Sequence, residues 1–137
     1  RDVAPSRGLG DVYKRQDAKV IMLGGIIRRG FNCTAGSFAA KMMQPFNVDK
    51  AFIASNAFSF ESGFSTPSTE QAEVKRAMIH SAAKVNMLID SSKFNCIAFY
   101  RFAELEDIDQ LITDNLLSSE DRAILNGYQD TLKLAIV

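Results

Sequence analysis

The chain has 137 residues, 47% hydrophobic and 23% charged, with a formal net charge of zero. That length and composition suit one globular domain able to bury a core without disulfide or metal staples. They argue against a dedicated nucleic-acid surface, which carries a basic excess, and no apolar run approaches the ~18 residues of a membrane span.

The first sixteen residues, "RDVAPSRGLGDVYKRQ", lack periodic apolar content. Residues 1–16 read as a flexible basic arm or, from "GLGDVYKRQ", as translated adapter or vector sequence, and on the second reading the natural chain is expected to be cut at about Asp17. "KVIML" (residues 19–23) is a short apolar run ended by Gly24 and Gly25, which predicts a buried strand. "IIRRGFN" predicts a second, more exposed strand in which Arg28 and Arg29 are solvated or guard an edge. "AGSFAAKMMQPF" places Phe38, Met42 and Met43 near helical spacing, with Ser37 as cap and Pro45 as stop. "KAFIAS" is the next strand.

"NAFSFESGF" and "ESGFSTPST" read as loop, with Phe58, Phe60 and Phe64 available for a lid or a subunit contact. Ser68 and Gln71 have the spacing of a capping box. The helix after them carries Val74, Ala77, Met78, Ser81, Ala82 and Val85 on one face of small and apolar side chains. His80, the only histidine, lies off that face and is expected in solvent. "VNMLI", "DQLITD" and "TLKLAIV" predict three further strands, with a short helix capped by Ser118 or Ser119 and stopped by Gly127 before the last.

Strands alternating with helices give an α/β class with a mostly parallel sheet and helices on both faces. In such sheets ligands bind outside the carboxyl ends of the strands. That position gathers Gly24 and Gly25, Ser55 and Asn56, the "DSSK" of residues 90–93, and Thr113 with Asp114. A lysine there suits an anionic ligand such as phosphate, hydroxyls and loop N–H groups add hydrogen bonds, and paired glycines admit close approach. Polar residues after strands are also ordinary turn formers, and Asp90 could simply cap the turn that follows it. Cys33 and Cys96 lack metal-ligand spacing, and with one histidine a zinc site is not expected; reduced thiols in a cytoplasmic protein are.

"LGG", "TAGSFA", "VDKAFIAS", "AEVKRAMI", "LIDSSKF" and "IDQLITD", in that order, resemble the C-terminal effector-sensing domain of DeoR-type bacterial transcription regulators, from about Asp17 to Val137. The resemblance implies a sugar-phosphate-isomerase-like α/β domain that binds a phosphorylated sugar or related metabolite. It implies that binding changes a homo-oligomer and so the DNA affinity of a separate N-terminal helix-turn-helix. DNA is then contacted only through that missing unit. It places Ser55, Asn56, Asp90 and Lys93 in the effector pocket, with Lys75 of "VKR" as a further contributor. Gln71 departs from the family's usual acid, and "FIASNAF" lacks its glycine. The first part of the sensor domain is also expected to be missing. The alternative is a sugar-phosphate isomerase of the same fold. That enzyme needs a carboxylate base, and Glu61, Glu70 and Glu73 do not stand in the glycine-rich setting it uses.

Overall fold

The computed structural model describes residues 19–28 and 30–137. The reading of residues 1–16 as adapter sequence, and the placing of Arg29, lie outside the described residues. In chain order the elements are β1 (Ile26–Arg28), β2 (Cys33–Ala35), α1 (Ser37–Met43), β3 (Ala51–Ala54), β4 (Ala57–Ser59), β5 (Gly63–Thr66) and α2 (Thr69–Ser81). They continue with β6 (Val85–Leu88), a 3₁₀ turn (Ser91–Lys93), β7 (Tyr100–Ala103), a second 3₁₀ turn (Leu105–Asp107), β8 (Gln110–Thr113), α3 (Ser119–Asn126) and β9 (Lys133–Ile136).

Four of the apolar runs expected to form strands pair with one another. They form a parallel sheet in the order β3-β6-β8-β9. Every crossover steps in the same direction across this sheet. The right-handed rule for parallel connections then puts all the crossovers on one side. The register agrees. Ala51, Ile53, Val85, Met87 and Leu111 share one face and one core with Ala72 of α2 and Leu125 of α3. Phe52, Ala54, Leu88 and Ile112 share the opposite face, where Phe52 is 60% and Leu88 40% exposed. The expectation of helices on both faces is therefore not met among the described residues.

Residues 19–23 are not a strand. Met22 is 61% exposed, and an apolar run becomes a strand only where a neighbour offers a ladder. The link to this segment is instead a side-chain bond, from the Thr34 hydroxyl to the Leu23 carbonyl at 2.8 Å. Ile26–Arg28 does form the exposed strand expected of "IIRRGFN", antiparallel to β2. In α1 the cap is Gly36 rather than Ser37, and Phe38 is 74% exposed while Ala39 is buried. A small residue at the contact lets α1 lie close on α2, and the Ser81 hydroxyl donates to the Met43 carbonyl at 3.2 Å.

The larger correction concerns residues 57–66, read as loop. They form a hairpin, β4 antiparallel to β5, extended by β7 into a second sheet. Ser59 pairs with Gly63 across a three-residue connection, and Gly63 takes φ +67°, the left-handed value such loops require. A Cβ on Gly63 would stand 2.3 Å from the Ala103 carbonyl oxygen, so no other residue fits. Phe58 and Phe64 are core side chains, not a lid.

Helix α2 starts as expected. Ser68 Oγ accepts from the Gln71 N–H at 3.3 Å. Only half of the capping box forms, because the Gln71 side chain turns inward to Thr66 and Cys33. The buried residue of α2 is Ala72, while Val74, Ala77, Met78, Ser81 and Ala82 are half-buried between sheet and α1. Met78 packs against the core and His80 is exposed. Met78→Asp is thus expected to cost about 1–2 kcal/mol, because a half-buried carboxylate keeps part of its water, and His80→Ala less than about 0.5 kcal/mol. Urea denaturation of both variants checks this; equal midpoints would misplace the helix face. Helix α3 matches its expected ends, with Ser118 accepting from the Asp121 N–H at 3.0 Å and Gly127 at the C-cap.

Candidate functional site

Parallel strands aim their carboxyl ends at one edge, and the sheet brings three of the expected segments there. Ala54 pairs with Leu88 and Leu88 with Ile112, so the residues that follow each strand are neighbours. Ser55 and Asn56 follow β3, residues 90–93 follow β6, and Asp114 follows β8. Asp114 ties the edge together. Its carboxylate accepts from the Ser91 N–H and the Leu116 N–H, both at 2.8 Å. The bond from Ser91 is the main reason its carboxyl is held below the usual carboxylate range.

The "DSSK" segment is a 3₁₀ turn with Asp90 as its cap. Asp90 Oδ1 accepts from the Ser92 N–H at 3.1 Å and from the Ser92 hydroxyl. Asp90 and Ser92 are therefore spent on each other, as turn formers are. Their effect is to present Lys93 at the end of the turn, half-buried. No carboxylate lies within ion-pair distance of Lys93 among the described residues. Ser55 is likewise committed, its hydroxyl 2.8 Å from the Ala57 carbonyl and 3.1 Å from that of Ser65. Asn56 is exposed at the edge, with its Oδ1 2.9 Å from the Thr66 hydroxyl.

Lys75 does not follow a strand. It stands on α2 one turn beyond Gln71, which bridges towards Asn56 through Thr66. Its ammonium lies 4.9 Å from the centre of the Phe102 ring. Burial pushes its pKa down from 10.5 to about 8, against a small opposing effect of Cys33. A cation held over an aromatic face without a carboxylate is poised to accept an anion.

Gly24 and Gly25 do not follow a strand of this sheet. The Gly24 N–H points at Met42 Sδ, 3.2 Å away, and a Cβ on Gly25 would stand 2.7 Å from the Ala35 carbonyl oxygen. Gly25 thus serves close packing of the segment against β2 and α1. Thr66 and Gln71 join this edge through Asn56, a link the sequence does not reveal because the strand that carries Thr66 reads as loop.

The edge is an open shelf. Concave space lies elsewhere: an open groove of about 540 Å³ runs between α1 and α2, lined by Lys41, Gln44, Glu73, Arg76 and His80 among others. A second, of about 340 Å³, is lined by Arg76, Arg101, Glu104 and Asp107 with neighbours from α2 and β7. In this region the His80 ring Nδ1 lies 2.7 Å from the Arg76 carbonyl, and Arg76 donates to the Arg101 carbonyl at 2.7 Å.

Comparison with known proteins gives one consistent answer. The family described as DeoR C terminal sensor domain matches residues 9–115. The chain is 38% identical over 120 residues to the HTH-type transcriptional regulator GlpR of Haloferax volcanii, covering 88% of this chain and 47% of that protein. It is 36% identical over 115 residues to the HTH-type transcriptional repressor GlcR of Bacillus subtilis, covering 83% and 44%. A putative aga operon transcriptional repressor of Escherichia coli O157:H7 is 29% identical over 103 residues, 75% of this chain and 38% of that protein. The chain spans about half the length, or less, of these relatives.

Proposed function

This chain belongs to the DeoR family as a C-terminal sensor domain, and from that premise we propose that it binds a phosphorylated sugar or a related metabolite and so controls a transcriptional repressor of carbohydrate-metabolism genes. The observation that carries the effector reading is the shelf where Asn56 and the Lys93 turn meet at adjacent strand ends. Lys75 stands behind it with its charge unmatched by any carboxylate among the described residues. Phosphate oxygens supply what both ammonium groups lack. The names of the relatives, a regulator and a repressor of the helix-turn-helix type, support a DNA reader outside this chain.

The same reading carries a cytoplasmic homo-oligomer whose assembly answers to the effector. No helix among the described residues is long and apolar enough to cross a membrane. The isomerase-like architecture with helices on both faces is proposed for the complete domain, in which the open face around Phe52 and Leu88 takes the second helical layer. For an isomerase, the candidate bases are badly placed. Glu70 accepts from the Ser68 hydroxyl, Glu73 lines the groove between α1 and α2, and Glu61 lines a small cavity beside Phe58 and Phe60. This favours binding over proton transfer.

Lys93→Ala tests the reading. It removes a charge-assisted contact and should weaken sugar-phosphate binding by about ten-fold or more while leaving the melting temperature in place. Calorimetric titration against a sugar-phosphate panel reads the change. Equal affinity in both proteins removes Lys93 from the site.

A further inference from the structure

Thr66 ends β5 with no exposed surface, its hydroxyl enclosed between two side-chain amides. Thr66 Oγ1 lies 2.9 Å from Asn56 Oδ1 and 3.3 Å from Gln71 Oε1. A hydroxyl has one proton and cannot donate to both oxygens. Both contacts are longer than the roughly 2.7–2.8 Å usual between a hydroxyl and an oxygen, and 2.9 Å also falls in the amide N–H range, so the single proton is assigned along the shorter contact, to the Asn56 oxygen as placed. The short contact is therefore Thr66 donating to Asn56, and the longer one is the Gln71 amide nitrogen donating to Thr66. Exchanging the two Gln71 terminal atoms in this way turns its oxygen towards Cys33, 3.9 Å away, where it accepts from the thiol.

The result is a one-way chain of donors from Cys33 in β2, through Gln71 and Thr66, to the Asn56 carbonyl oxygen. With that oxygen held inward, the Asn56 NH₂ group is the part left to face the shelf. We propose that Thr66 is a positioning residue that locks Asn56 as a hydrogen-bond donor, so that the shelf selects ligands presenting acceptor oxygens, a phosphoryl group above all. The inference rests on the effector-binding reading and adds to it which atom of Asn56 meets the ligand and what holds it there. Gln71, a neutral amide, is required by this chain, because the chain needs both a donor and an acceptor at that position.

The test compares Thr66→Val, Thr66→Ser and Asn56→Ala in the full chain. Binding is measured by calorimetry against inorganic phosphate, glycerol 3-phosphate and hexose 6-phosphates. The Asn56 side-chain amide signals are followed by NMR without ligand. Thr66→Val should weaken binding by about ten-fold, Thr66→Ser by less than about two-fold, and Asn56→Ala at least as much as Thr66→Val. The Asn56 amide pair should be dispersed in wild type and Thr66→Ser, and collapse towards free-amide positions in Thr66→Val. If Thr66→Val does not fold, Gln71→Met replaces it, with a loss of about three-fold expected from a half-exposed helix position. Affinity lost in Asn56→Ala but kept in Thr66→Val overturns the positioning role and leaves the sensing reading standing. Affinity unchanged in Asn56→Ala overturns this inference alone if Lys93→Ala still weakens binding. A wild type that binds none of the probes overturns the phosphate reading, and the amide signals then decide the lock separately.

Discussion

Phe58→Ala is expected to lower the unfolding free energy by about 3–5 kcal/mol, a large share of the ~5–15 kcal/mol that holds a domain of this size together. Phe58 is fully buried, and three aromatic rings meet it. Phe64 lies 4.6 Å away, Phe60 meets it edge-on at 5.1 Å, and Phe94 does so at 5.2 Å. Each such pair adds about 0.5–1.5 kcal/mol beyond the area it buries. The position also couples fold to site. Its carbonyl accepts from the Cys96 N–H at 3.1 Å, and it bridges to Phe94, the residue after Lys93. The variant should therefore lose order in residues 90–96 as well as global stability. Urea denaturation with amide exchange of that segment measures both. A cost under about 1 kcal/mol would mean that the second sheet is not part of the cooperative core.

The parallel sheet was legible because its strands carry the signal that burial writes into sequence: short apolar runs stopped by polar residues. "KAFIA", "VNMLI" and "DQLI" all paired, and the residues that stop them do converge. The same signal misled at "KVIML", because an apolar run reports that a segment needs cover and not what will cover it. The hairpin at residues 57–66 was hidden for the opposite reason. Its strands are three and four residues long, and the serines and glycine among its phenylalanines read as loop. β7, the strand that extends the hairpin, was not expected either, and without the hairpin Thr66 could not be placed beside Asn56. At this edge, strand-end position indicated which residues gather but could not tell which polar groups are already spent. Asp90, Ser92 and Ser55 turn out to be committed to local bonds. That distinction lives in hydrogen-bond geometry, which residue spacing does not encode.

Lys75→Met is expected to stabilise the domain at pH 7 and to abolish a pH dependence that the wild type shows. Burial holds the folded-state pKa near 8, against 10.5 for a free lysine. Below pH 8 the side chain is charged in both states, so the full cost of burying the ammonium is present. Between pH 8 and 10.5 the folded chain gives up its proton first and the unfolded chain binds more protons. Stability from this group therefore rises with pH across that window. Lys75 keeps part of its surface in water, so screening reduces the cost at neutral pH to about 1–2 kcal/mol. Subtracting the denaturation profile of the variant from that of the wild type isolates the contribution of Lys75. A flat difference would mean that Lys75 is hydrated in the folded state. An anionic effector supplies the missing countercharge and raises the pKa again, so binding at pH 9 should take up a proton. Affinity should then fall by up to about ten-fold per pH unit above the folded pKa, and not in Lys75→Met. Calorimetry in two buffers of different ionisation heat counts the proton. Uptake near zero, with the stability difference intact, would leave Lys75 as a buried cation outside the effector site and shift the whole electrostatic burden of phosphate recognition onto Lys93.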